Sequence, residues 1–308
     1  MVTRVMVVAR LACNCSCCSI CQLRCETMRK NLFHILLGCL IGIQSLHSQS
    51  LEVGGFFGLS GYSGELQAGQ VDLLEIHPAF GIHLTYRTSR ILALKFALSK
   101  GKISGNDANY STIEFRRNRN LSFRSRLYEA SFLFELSFLN FGTSKNPRAG
   151  AFLFSGISGF YFNPQAFYQD NWVNLQPLGT EGQGIHLFCP ARYNRFQYAI
   201  PIGVGFNIFA TKKSSFGLQL GIRKTFTDYL DDIGTNYPDL EDLQQVNPVA
   251  AALSFRGAEV NGDSAVNPSG TRRGTPGNDV YFFGGISFSI VLADKKVDSH
   301  IVHPEFYY

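Results

Sequence analysis

Few residues of the types that do chemistry stand at chemical spacings in this chain of 308 residues. A hydrolytic nucleophile needs a base within reach, and no Gly-x-Ser-x-Gly elbow occurs. His186 and Cys189 are near enough in sequence for a thiol–imidazole pair or half a metal site, but no further ligands accompany them. Cys13, Cys15, Cys17, Cys18, Cys21 and Cys25 crowd the first 27 residues, Cys39 follows, and only Cys189 lies beyond. That spacing fits no ligand pattern and holds no histidine, so a metal knot is not expected. Asp228, Asp231 and Asp232 offer oxygen ligands for calcium, yet without the glycine-spaced loop of an EF-hand. Solvated charges at a membrane rim are their expected role, and Glu241 and Asp242 read as ordinary loop carboxylates. Arg116, Arg117, Arg119, Arg124 and Arg126 form a basic run accompanied only by Phe115 and Phe123. Nucleic acid would want more interleaved aromatics; an anionic lipid or partner fits better. The reading is therefore no catalytic set, no metal and no cofactor.

The elements that carry these residues are legible from composition. Gly 30, Phe 27 and Tyr 13 stand against 3 Met and 1 Trp, and charged residues make up 17%, below the usual quarter. No run of eighteen apolar residues appears, which excludes a bundle of membrane helices. An aromatic-rich, glycine-rich chain of neutral hydropathy suits a transmembrane barrel, whose outward and inward residues cancel.

Met28-Arg29-Lys30 followed by apolar Leu32 to Leu46, then Ser48 and Ser50, reads as a secretory signal peptide over 28–48. Residues 1–27 then read as an upstream extension, 49–292 as the barrel and 293–308 as a tail. Leu36-Leu37-Gly38-Cys39 imitates a lipoprotein cleavage box, although the apolar stretch continues past it. Of the net charge of +5, most falls before residue 31, so the basic balance carries no nucleic-acid signal.

Alternation of apolar and polar positions predicts eight strands at about 51–60, 78–87, 91–101, 122–138, 150–162, 196–210, 216–224 and 280–292. The segment 196–210 is the clearest, with Phe196, Tyr198, Ile200, Ile202, Val204, Phe206 and Ile208 on one face. The segment 150–162 alternates poorly and its faces stay unassigned. Short connections near 88–90, 142–148 and 211–215 alternate with long ones at 61–77, 102–121, 163–195 and 227–279. That alternation predicts a closed antiparallel eight-stranded transmembrane β-barrel with short periplasmic turns and long extracellular loops. The stretch 257–278 reads as a mobile external loop. Inward parity falls on Glu52, His83, Lys95, Glu129, Glu135 and Arg223. In a lumen this narrow, such charges are expected to pair and close it, or else to form an ion path.

Several loop motifs then become recognisable. They are Gly101 to Gly105, Arg119 to Ser125, Asn163-Pro164-Gln165 within Phe162 to Ala166, Gly179-Thr180-Glu181-Gly182 within Leu175 to Gly184, and Thr227-Asp228 through Asp231-Asp232. With Gly58 to Leu66 they resemble the Bacteroidota-type outer-membrane barrel family that includes PorG of the type IX secretion system. The resemblance covers about 51–292. It implies a non-enzymatic component of the secretion and gliding machinery, associated with outer-membrane lipids and with a periplasmic ring lipoprotein and its partner. A lipid-active barrel enzyme, or a surface adhesin or receptor using 163–195 and 227–279, are the alternatives. The cysteine-rich leader and the tail after Leu292 depart from the family pattern.

Overall fold

The computed structural model describes residues 49–295 apart from 68–71, 90, 111, 144–145, 185–190, 212, 263–264 and 276. The leader, the signal-peptide and lipidation readings, every cysteine, His186 and the end of the tail lie outside the described residues. Eight long strands form: β1 (Gln49–Ser63), β2 (His77–Arg87), β3 (Leu92–Asn106), β4 (Ser122–Thr143), β5 (Asn146–Tyr168), β7 (Phe196–Phe209), β8 (Ser214–Thr225) and β9 (Val280–Lys295). The short β6 (Asn171–Asn174) folds back on the end of β5.

All neighbours are antiparallel. Each strand pairs with the next around the ring, β5 with β7 across the β6 excursion. The seam is sealed by β1 against β9, in register from Gln49↔Lys295 to Ser63↔Val280, with one bulge at Leu51/Glu52. Every strand of the ring has a paired neighbour on both sides, so the sheet has no free edge, as a lipid environment requires. Outward positions are large and apolar all the way round: Phe57, Ile82, Phe96, Phe134, Ile157, Val204, Leu218 and Ile286 are all exposed. An apolar surface of that extent belongs in lipid rather than water. The fold is a closed eight-stranded transmembrane barrel. No described helix is long and apolar enough to cross a membrane.

The strand whose faces were unassigned explains itself. In β5 the even positions Phe152, Phe154, Phe160 and Phe162 are buried in the lumen, while Ser155 and Ile157 face outward. Aromatic rings thus occupy the side that is polar elsewhere, and the hydropathy period disappears although the pleat is regular. Inward glycines of β7 make room for two of these rings. A Cβ on Gly205 would lie 2.2 Å from Cζ of Phe152, and one on Gly203 2.3 Å from Cζ of Phe154.

The short β2–β3, β4–β5 and β7–β8 connections lie at one end of the barrel, and the long connections at the other. Those long connections are folded. One-turn 3-10 helices cover Leu73–Glu75 and Asp107–Tyr110, with α1 at Glu114–Arg119, α2 at Leu240–Val246, α3 at Pro248–Ser254 and α4 at Ala258–Asn261. The Asp239 carboxylate caps α2 by accepting from the amides of Glu241 and Asp242, and Asn247 caps α3 ahead of Pro248. Both are the residue types that satisfy orphan amides at a helix start. The loops pack as a cap, in which Leu66, Leu121, Leu175, Leu230, Ile233 and Leu253 continue the aromatic core of the upper lumen.

Candidate functional site in the lumen and cap

The six inward charges all lie in the lumen, between 2% and 7% exposed. Near the short-turn end the Arg87 guanidinium donates to Glu52, Nε to Oε1 at 3.0 Å. Lys95 pairs with Glu135 and sits 5.6 Å from the Phe152 ring centroid. His83 Nε2 lies 3.0 Å from the Ser289 hydroxyl. Midway up, Arg223 grips Glu129 with two nitrogens at 3.1 and 3.3 Å. Tyr281 donates to the same carboxylate at 2.6 Å, and Arg223 lies over Phe283 at 4.7 Å. Above this level Phe160, Phe162, Tyr281 and Tyr62 fill the bore. A lumen cavity between Phe56, His83, Lys95 and Arg223 is about 20 Å³, room for about one water. Ion pairs and rings therefore plug the barrel.

The loop motifs converge in the cap. Gly179 and Gly182 both have positive φ, +68° and +81°, and the Gly182 amide donates to the Gly179 carbonyl at 2.8 Å. This turn presents Glu181, which accepts from the amides of Gly234 and Thr235 and from the Thr235 hydroxyl. Thr180 donates to Asp232, as does Tyr193 at 2.7 Å. Burial pushes the Asp232 carboxyl up to about 7, against the pull of the Arg273 guanidinium. Thr227 accepts the Asp279 amide at its carbonyl, 3.0 Å. Asn163 accepts from Arg195 at 3.0 Å. The Pro164 carbonyl accepts the Leu175 amide at 2.9 Å, and Gln165 donates to Asn174 at 2.8 Å. These last contacts hold the β5–β6 hairpin beyond the barrel rim.

Three expectations need correction. Asp231 and Asp232 are not solvated rim charges, being 2% and 1% exposed; their carboxylates cap buried turn amides and hydroxyls. The basic run is not one free surface. Arg119 is buried and forks onto Asp107 with two bonds of 2.8 Å, leaving Arg117 and Arg126 exposed. Nor is 257–278 simply a mobile loop. Arg273 within it is 2% exposed and donates to the carbonyls of Asp232 and Ser254 at 2.6 and 3.2 Å.

Residues given no individual role from sequence prove central. Tyr62, Glu65, Asp107, Arg273 and Asp279 are buried at the mouth. One oxygen each of Glu65, Asp231 and Asp279 lies within 4.8 Å of the other two. Burial, then the charges of Asp231 and Asp228, pushes the Glu65 carboxyl up to about 9. Burial, then Asp231 and Glu65, raises Asp279. Single loop carboxylates carry no periodicity, and the three come from distant positions, so no sequence signal unites them.

The barrel and its plugged bore define a class, the small closed transmembrane β-barrels. Residues 29–249 match the family described as Domain of unknown function (DUF6089), and the chain belongs to that family. Among solved structures it is similar to Neisserial surface protein A, with a TM-score of 0.39 at 8% identity, over 79% of this chain and 97% of that one. Outer membrane protein OprG of Pseudomonas aeruginosa gives 0.38 at 9% identity, over 80% and 98%. The attachment invasion locus protein Ail of Yersinia pestis gives 0.36 at 5% identity, over 79% and 99%. No curated protein matches the chain.

Proposed function

We propose that this chain is a barrel of a bacterial outer membrane, without enzymatic activity, that anchors a partner complex instead of conducting solutes. The plugged lumen carries this reading. Three ion pairs and a column of aromatic rings cross the bore, around a cavity of about 20 Å³, and breaking such pairs to open a path is strongly unfavourable. What remains for function is surface: the apolar belt toward outer-membrane lipids, the short turns toward the periplasm and the folded cap outside. The loop motifs resembling the PorG-containing family narrow the complex to type IX secretion, with a periplasmic ring lipoprotein and its partner as the bound proteins. Co-purification of the tagged full-length chain in mild detergent tests this. Recovery of periplasmic ring proteins is expected, and their consistent absence overturns the assignment.

A surface receptor is the second reading, favoured by one observation. The cap carries an open cleft of about 570 Å³ lined by residues including Glu181, Tyr237, Asp239, Leu243 and Arg272. Protease shaving of intact cells separates the two, because a receptor needs that cleft outside the cell and accessible.

A further inference from the structure

The lumen neutralises each of its carboxylates, whereas the mouth does not. Glu65 follows β1, Asp231 lies in the long β8–β9 connection, and Asp279 immediately precedes β9. All three are at least nine-tenths buried, and no ion pair joins them to a cation among the described residues. Arg119, whose charge acts on Asp231, is already committed to Asp107. Two oxygens in the group, Glu65 Oε2 and Asp279 Oδ1, are buried without any hydrogen-bond partner among the described residues. The Asp279 oxygen is turned toward the end of β1. A Cβ added to Gly64 would stand 2.1 Å from it and 2.2 Å from the Tyr62 hydroxyl oxygen. The other Asp279 oxygen accepts the Leu230 amide at 2.9 Å, which fixes the group in place. Asp231 is fixed likewise by the Ile233 amide and by Tyr62.

Three buried carboxylates without a partner cation are strongly unfavourable unless protons or a metal neutralise them. Hard oxygen donors select calcium or magnesium, and two ligands on opposite sides of a Ca²⁺ lie roughly 4.8 Å apart at bond lengths of about 2.4 Å. The three oxygens, all within 4.8 Å of one another, are close enough to share one such ion. We infer that Glu65, Asp231 and Asp279 form a Ca²⁺ site that staples the cap to the barrel mouth. Bound there, the ion joins the β1–β2 loop, the β8–β9 loop and the start of β9, adding to the Arg119 guanidinium that already donates to the Glu65 and Arg273 carbonyls. This inference is independent of the partner assignment, because purified protein alone reports on it.

The test uses the full chain folded in detergent micelles and stripped with EDTA. Adding Ca²⁺ at pH 7.5 is expected to raise the Tm saturably, with one ion bound per chain by calorimetric titration. Tb³⁺ in its place is expected to give luminescence sensitised by nearby tyrosine and quenched by excess Ca²⁺. Glu65→Gln and Asp279→Asn should each weaken Ca²⁺ binding at least tenfold, while the exposed Glu241→Gln leaves it unchanged. Wild-type protein showing no Tm shift, no binding heat and no Tb³⁺ signal up to millimolar ion overturns the site. So does a Ca²⁺ response that survives intact in both variants. The wild-type titration decides the matter even if a variant fails to fold.

Discussion

The bore and the mouth of this barrel handle buried charge in opposite ways. In the bore, Glu52, Glu129 and Glu135 each face a cation on a neighbouring or opposite strand. At the mouth, Glu65, Asp231 and Asp279 face one another. A paired carboxylate supports the fold while its partner remains, and removing the partner leaves an uncompensated charge. Carboxylates that repel one another do the reverse, since removing one relieves the rest. The same residue type should therefore respond with opposite sign in the two regions, and mutation can expose that directly.

The largest effect is expected in the bore. Arg223→Met strands Glu129 and should remove about 3–5 kcal/mol, read from urea unfolding in micelles or from the heat-dependent gel shift of the barrel. Adding Glu129→Leu to it should restore much of the loss, because an apolar pair of similar size is often neutral; a double variant as weak as the single would contradict pairing as the cause. Next comes the cap. Arg119→Lys cannot fork onto Asp107 or reach all its carbonyls, and a loss of about 1–3 kcal/mol is expected, visible as faster proteolysis of the cap over an intact barrel.

At the mouth the sign turns. With EDTA present at pH 8, Asp279→Asn should stabilise the protein by about 1 kcal/mol, against the losses in the bore; a clear destabilisation would place Asp279 with the paired carboxylates. The pH profile follows the same logic. The Glu65 carboxyl is raised to about 9, so the folded state keeps a proton that the unfolded chain releases above about pH 4.5. In EDTA, stability should fall as pH rises across that window, and saturating Ca²⁺ should flatten the curve. Tyr62, Asp228, Asp231 and Asp279 all interact with this carboxyl, and Arg119 acts on its neighbour Asp231, so the slope belongs to the group. The smallest effect is expected at the exposed Arg117, where Ala should change stability by no more than about 0.5 kcal/mol.

Strand count, the alternation of loop lengths and the inward parity of the lumen charges were legible because a barrel wall repeats every two residues. The segment 150–162 was not, because Phe152, Phe154, Phe160 and Phe162 invert the usual polarity of that period. The cap escaped for a different reason. Asp231 and Asp232 sit in a polar stretch that reads as solvated rim, and only the packing of Leu230 and Ile233 beneath it makes the turn a buried one. Arg273 lies in a Gly/Pro/Ser-rich stretch with no apolar period at all. Its burial follows from carbonyls supplied by Asp232, Leu253 and Ser254, partners that no local pattern can announce.

The β5–β6 hairpin has a practical consequence. Its tip, Gln169 and Asp170, turns with positive φ at both positions, 47° and 62°, and both side chains are exposed. A two-residue turn of that kind hangs on strand pairing below it, which here runs from Tyr168↔Asn171 to Gln165↔Asn174. A short epitope or a fluorophore-bearing cysteine placed at this tip would stand clear of both bore and mouth, offering a handle for watching the protein from outside while leaving its buried charges undisturbed.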